Sequence, residues 1–285
     1  MKKEVTVISE GTRVAADLFI PDDIKKGEKR PAILLCNGWG GGKHQLEPAY
    51  ADYFCKRGFV ALAFDYRGWY KSDPRVVVEG PVPKPDENGY VTVRARTVNE
   101  VVDPFEQYLD CINCLDFLDG EESVDPDRLG VWGTSYGAGH AINLAGNDYR
   151  IKCLVSQVGA PNTLSTPEII KYARRIAREK AHGLHGVLPA KAPQLGNLLG
   201  TPESAKMPRY RPIDVAYKIK APSLFMDQDG EEYADYRNQY PEVIKRMDPS
   251  VPVHYHTFSG SHYEIYSKNY RASSHMACDW FLKYL

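Results

Sequence analysis

The chain has 285 residues, 43% of them hydrophobic, with 36 lysines and arginines against 37 aspartates and glutamates. That length suits one large α/β domain or two small ones, and the apolar fraction supplies a sizeable core. A formal net charge of -1 gives no electrostatic case for nucleic acid or an anionic membrane as partner.

Met1 to Lys3 leads straight into a strand-like alternation, without the apolar stretch of a secretory signal. No apolar run approaches the length of a membrane span. Cys36, Cys55, Cys111, Cys114, Cys153 and Cys278 are scattered through periodic segments. They read as reduced, buried thiols of a cytoplasmic protein. The Cys111-x-x-Cys114 spacing lies in a helical pattern with no second pair nearby, which argues against a metal or redox centre.

Residues 4 to 20 read as two strands around Glu10 to Thr12. Pro31 to Cys36 is a short continuous apolar run, as expected of a buried central strand. It ends in the glycine-rich stretch Asn37 to Lys43. A helix is expected over Leu46 to Arg57, stopped by Gly58, and then a second buried strand over Phe59 to Phe64. Strands alternating with helices predict a parallel sheet. Residues 74 to 100 interrupt this rhythm: Val76 to Val78 and Tyr90 to Arg94 look strand-like around Asn88-Gly89, as a hairpin excursion or an ordered loop. A helix follows over Pro104 to Leu118, then a turn over Val124 to Arg128.

The chain is organised around what comes next. The apolar run from Leu129 breaks at Gly133 and Gly137, which bracket Ser135, and opens into the small helix-forming residues Ala138 to Ala145. This is a G-x-S-x-G nucleophile elbow, a serine on a sharp strand-to-helix turn. The glycines let strand and helix approach closely, and the helix N-terminus favours negative charge developing beside the serine.

Ile151 to Val158 is a further buried strand. Ser165 to Glu168 has the form of a capping box opening a helix to about Ala181, with Lys171, Arg174, Arg175, Arg178 and Lys180 as an exposed basic side. The Gly/Pro-rich residues 183 to 212 complete an irregular insertion of the kind that serves as a cap over a site, with Leu195, Leu198 and Leu199 as apolar contacts. We expect the cap to span about 161–220, in one domain with no linker. Strand Pro222 to Met226, a helix over Tyr233 to Met247, strand Val251 to Phe258 and a final helix over Ala272 to Leu285 close the chain.

A serine hydroxyl needs an adjacent base, itself oriented by a carboxylate. In sheet-based hydrolases the chain order is serine, acid, histidine, each on a loop after a strand. His262, on a Gly/Ser loop after the last strand, fits the base. His254 and His256 fall within that strand, His275 in the final helix, His182 and His185 in the cap, and His140 in the elbow helix as a packed residue. For the acid, Glu231 sits where the loop after strand 222–226 turns back over the sheet. Asp229 is the alternative, with Glu232 and Asp227 behind it. Two backbone N–H donors must face the developing oxyanion: that of Tyr136, after the serine, and that of Trp39, on the loop after strand 31–36. Neither G-x-x-x-x-G-K-[ST] nor G-x-G-x-x-G occurs, so no nucleotide cofactor is expected.

The elbow Gly133 to Gly137, the loop Asn37 to Gly40, the turn Phe64 to Gly68 and the loop Gly260 to His262 together resemble the α/β-hydrolase superfamily. Within it the chain is similar to dienelactone-hydrolase-like and Xaa-Pro-peptidase-like esterases. The resemblance spans nearly the whole chain. It implies a mostly parallel eight-stranded sheet with helices on both faces and a Ser-His-acid triad. Asn37 stands where a histidine is more usual, glutamate replaces the commoner aspartate, and serine replaces the cysteine nucleophile of the dienelactone hydrolases. The expectation is a cofactor-free, metal-free serine hydrolase that cleaves an ester, lactone or related small acyl substrate through an acyl-enzyme. Peptidase, acyltransferase and carbon–carbon hydrolase activities share the same machinery, and a non-catalytic binding protein is the rival from another class. The oligomeric state stays open, a homodimer included.

Overall fold

Strands with both faces covered read as unbroken apolar runs, and two such runs form the centre of this molecule. The structure is a computed structural model that describes residues 1–163, 165–184 and 198–285. Strands β1 (Lys2–Ser9) and β2 (Thr12–Phe19) make an antiparallel hairpin. Strand β3 (Arg30–Cys36), helices α1 (Lys43–Leu46) and α2 (Asp52–Cys55) and strand β4 (Val60–Phe64) follow. Next come β5 (Arg75–Val78), β6 (Ala95–Val98), the short β7 (Val101–Val102) and α3 (Pro104–Asp119). The elbow joins β8 (Val124–Thr134) to α4 (Tyr136–Asn147), and β9 (Ile151–Gln157), α5 (Pro167–Ala181) and β10 (Thr201–Pro202) come after it. The chain closes with β11 (Ser223–Gly230), α6 (Tyr240–Ile244), β12 (Val253–Ser261) and α7 (Tyr270–Tyr284).

Eight strands form one sheet in the order β1-β2-β4-β3-β8-β9-β11-β12, parallel except at β1 and β2. This is the α/β-hydrolase architecture. Alternate residues of β3 serve opposite layers: Ala32, Leu34 and Cys36 pack with α3 and α4, while Ile33 and Leu35 pack with α2 and α7. All five are fully buried, and each large side chain so buried contributes roughly 1.5–3 kcal/mol. Two buried carboxylates hold cations beside β2 and β4. Arg67 holds Asp110 through its Nε (2.9 Å) and Nη2 (2.6 Å), and its backbone N–H adds a third bond. Asp17 takes both Lys43 and Lys2. Among the described residues, no helix is long and apolar enough to cross a membrane.

Several local expectations are corrected. The helix expected over 46–57 is broken into α1 and α2 by a π-helical turn at Glu47–Ala51, where Pro48 offers no N–H to continue an α-helical ladder. The excursion pairs β5 with Ala95–Val98 rather than with 90–94. Val98 is the residue of that arm that becomes buried, and Glu79 carries the contact one residue further, its N–H donating to the Arg94 carbonyl at 2.8 Å and its carboxylate holding Arg94 and Arg96. Residues 124–128 belong to β8 rather than to a turn. The cap of α5 is Thr166, not Ser165: its side chain accepts the Ile169 N–H, and Pro167 takes the first helical position, where its missing N–H is harmless. Lys180 leaves the basic side to pair with Glu203. The long helix expected over 233–247 is a 3-10 turn at Tyr236–Asn238 followed by the five-residue α6, because Pro241 starts a helix rather than sitting inside one.

Candidate active site

The sharp turn after β8 is paid for in backbone strain. Ser135 has φ 52° and ψ -124°, a region that costs of order 1–3 kcal/mol for a residue with a side chain. The surroundings hold it there. Its N–H donates to the Gln157 carbonyl at 2.9 Å, and α4 presses against the end of β3. A Cβ on Gly137 would stand 2.2 Å from the Asn37 carbonyl oxygen and 2.3 Å from that of Cys36. Only glycine allows this approach.

His262 follows β12 directly, at the start of a 3-10 turn running to Tyr266. Its Nε2 lies 3.1 Å from Ser135 Oγ, and its Nδ1 lies 2.6 Å from Glu231 Oε2. With Nδ1–H donating to the glutamate, Nε2 is left as an acceptor for the serine hydroxyl. The His262 and Glu231 side chains are each only 5% exposed, so little water competes for these bonds. Tyr233 and Tyr263 stand edge-on to the imidazole at 4.9 and 5.1 Å, and their hydroxyls meet at 3.1 Å.

The competing carboxylates are placed elsewhere. Asp229 is exposed and accepts the Gly260 N–H at 3.0 Å. Glu232 accepts the backbone N–H of His262 at 2.8 Å. Asp227 is buried within β11, where Tyr255 donates to it at 3.1 Å. Burial there pushes its carboxyl up to about 8. Sequence reasoning weighed Glu232 only as an acid; its bond to a main-chain amide leaves no signal in residue type.

The loop after β3 flanks the serine. A Cβ on Gly38 would come within 3.0 Å of Ser135 Cβ, so the backbone of this loop lies against the elbow. Among the described residues, no hydrogen bond engages the amide of Trp39 or that of Tyr136, the first residue of α4, whose N–H has no partner within the helix. The two rings cross at 5.3 Å. Asn37 turns away from this space: its amide group donates to the Phe64 carbonyl at 2.5 Å, tying β3 to the end of β4. The Trp39 indole donates to the Leu199 carbonyl at 2.8 Å, a contact that sequence reasoning missed. Thr201 and Pro202 then pair with β7. Leu195 and His185 lie outside the described residues.

Among the described residues, the other histidines stand apart from this line of contacts. His140 is fully buried in α4, with Nδ1 2.5 Å from the Tyr210 hydroxyl. Desolvation pushes it down to about 3, so it is neutral under ordinary conditions. His254 and His256 lie in β12, and His275 stacks on Tyr53 from α7. All six cysteines are buried and unbridged.

Residues 10–166 match the family model of the X-Pro dipeptidyl-peptidase (S15 family). An uncharacterized 31.7 kDa protein in a traX-finO intergenic region of Escherichia coli is 25% identical over 98% of both chains. The quorum-quenching protein AidA of Acinetobacter baumannii is 23% identical over 83% of this chain and 80% of its own. The α/β hydrolase GrgF from Penicillium sp. sh18 superposes with a TM-score of 0.74 at 15% identity, over 100% of this chain and 99% of the other, a likeness of fold. With its family match extending from β2 through the elbow to β9, this chain belongs to the X-Pro dipeptidyl-peptidase (S15) family of the α/β-hydrolase superfamily.

Proposed function

We propose that the chain is a serine hydrolase that cleaves an ester, lactone or related small acyl substrate through an acyl-enzyme. The observation that carries this reading is the continuous line from Ser135 Oγ through His262 to Glu231, at 3.1 and 2.6 Å. Ser135 Oγ attacks the acyl carbon as its proton passes to His262 Nε2. Glu231 stabilises the imidazolium that forms. The amides of Tyr136 and Trp39 take the negative charge on the substrate oxygen. His262 returns its proton to the leaving oxygen, the bond to the leaving group breaks, and a water activated by the same histidine hydrolyses the acyl-serine.

Residues 161–220 and the arm at 74–100 are the cap of this single domain and select the acyl group. The bond from Trp39 to Leu199 supports that role by tying the insertion to the loop beside the serine, and the pairing of β10 with β7 ties it to the segment that follows the arm.

The family match favours a second reading, cleavage of a peptide after a Xaa-Pro pair. Both use the same attack, so substrate shape decides between them. The test is labelling of the purified protein by a fluorophosphonate, followed by a panel of acyl esters, lactones and Xaa-Pro anilides. We expect labelling and turnover of esters or lactones. Labelling with turnover of the anilides alone establishes the peptidase reading, and no labelling at all refutes both.

A further inference from the structure

The end of β12 is held in an unusual way. Between Gln228 and Gly230 the pairing of β11 with β12 shifts, so that Gln228 faces Phe258 while Gly230 faces Ser261. One extra residue is thereby inserted on β12, a bulge that takes amides off the ladder. Buried or half-buried amides must find other acceptors. Here three successive amides each find a different carboxylate. Gly260 N–H donates to Asp229 at 3.0 Å, Ser261 N–H to Glu264 at 2.7 Å, and His262 N–H to Glu232 at 2.8 Å.

The three acceptors come from three places: the end of β11, the turn after it, and the 3-10 turn that His262 itself begins. A Cβ on Gly260 would lie 2.4 Å from Glu264 Oε2, so the carboxylate fits closely over the glycine. The imidazole of this same residue meets a fourth carboxylate, Glu231. Backbone and side chain of His262 are therefore aimed by adjacent glutamates, Glu232 and Glu231.

We propose that Asp229, Glu232 and Glu264 form a carboxylate cradle that positions His262 over Ser135. The proposal rests on the reading of Ser135 and His262 as nucleophile and base. None of the three reaches the serine: each acts through the main chain, setting where the imidazole stands. Hydrogen bonds to an ionised acceptor are shorter and stronger than neutral ones, and a misplacement of about 1 Å can cost about a hundredfold in rate. Asp229 and Glu232 are exposed and pack little of the core, so their loss falls on the loop rather than on the fold.

The test uses the full chain and p-nitrophenyl acetate as probe. Glu232→Ala should lower kcat by about 10- to 100-fold, with KM within about threefold and an unchanged melting temperature. Glu232→Gln keeps a carbonyl oxygen that can accept the His262 N–H and should retain most of the activity. Asp229→Ala should behave in the same direction, and the double alanine variant should lose more than either alone. Unchanged kcat in Glu232→Ala overturns the cradle, as does an equal loss in the alanine and glutamine variants. Ser135→Ala, run alongside, separates the two ideas. Wild-type turnover that survives in Ser135→Ala refutes the reading of the site, whereas turnover that vanishes there but persists in Glu232→Ala refutes the cradle alone.

Discussion

Ser135 and His262 are 127 residues apart in sequence, yet Oγ and Nε2 stand 3.1 Å apart across the carboxyl ends of β8 and β12. Two strands and the helices that cover them fix that distance, while the hydroxyl itself contributes little packing. Ser135→Ala should therefore abolish fluorophosphonate labelling and lower turnover by about 10⁴-fold or more, with an unchanged melting temperature. Labelling of the alanine variant at the wild-type rate would remove Ser135 as the nucleophile.

In the proposed mechanism Glu231 bears on the transition state more than on binding, because the charge it compensates appears only when His262 takes the proton. Glu231→Gln should lower kcat by roughly two to four orders of magnitude, by analogy with other triad acids, while KM stays within a few-fold. Asp229→Asn, which preserves an acceptor for Gly260 N–H, should cost much less. Steady-state kinetics on the two variants decide the assignment. A dead Asp229→Asn beside an active Glu231→Gln would move the acid by two residues.

The parts of this molecule that were legible in the sequence are those with a local cause. Pro31 to Cys36 reads as a central strand because both of its faces are apolar. Gly133 and Gly137 mark the elbow because no Cβ fits there, and His262 is recognisable from its place on a loop after the last strand. What escaped has a non-local cause. The bulge opposite Asp229 and the bond from Glu232 to the His262 amide depend on how β11 and β12 meet. The docking of Leu199 on Trp39 joins segments 160 residues apart. Prolines also mattered more than periodicity: Pro48 falls where the helix expected over 46–57 is interrupted, and Pro241 starts a short new helix inside the one expected over 233–247.

The buried pair of Arg67 and Asp110 makes a prediction about stability. The Arg67 side chain is 9% exposed and the Asp110 side chain is completely buried, and the pair joins the loop after β4 to α3. Asp110→Ala would strand a buried guanidinium, at a cost of about 3–5 kcal/mol. Thermal or urea unfolding should register the loss clearly, since it is a large part of a typical domain's stability. A shift smaller than about 1 kcal/mol would mean that water reaches Arg67 in the variant.

The proposed cap makes a prediction about selectivity. Leu199 is 60% exposed, yet its carbonyl is bound by Trp39 beside the serine. Leu198→Ala and Leu199→Ala should reorder the ranking of acyl-chain lengths in an ester panel while leaving the melting temperature almost unchanged. A large fall in melting temperature with an unaltered ranking would make this segment part of the core instead.

Asp227 predicts a dependence of stability on pH. Burial in β11 raises its carboxyl from 3.8 to about 8, against the bond from Tyr255, which favours the ionised form. Below pH 4 both folded and unfolded chains hold the proton, and the group contributes nothing. Between about pH 4 and 8 the unfolded chain has released it while the folded chain retains it, so this residue lowers stability as pH rises, by at most about 1.4 kcal/mol per pH unit. Above pH 8 the penalty is complete and constant. Asp227→Asn cannot ionise and escapes it. The variant and the parent should therefore unfold at similar temperatures at pH 4, and the variant's advantage should grow toward pH 8. Comparing the two chains cancels the opposite contribution of His140, which is held near 3 and favours the folded state increasingly as pH rises from about 3 to 6.5. Melting temperatures of both proteins from pH 4 to 9 are the measurement. A constant difference across that range, or one that shrinks with pH, would show that Asp227 is already ionised in the folded protein.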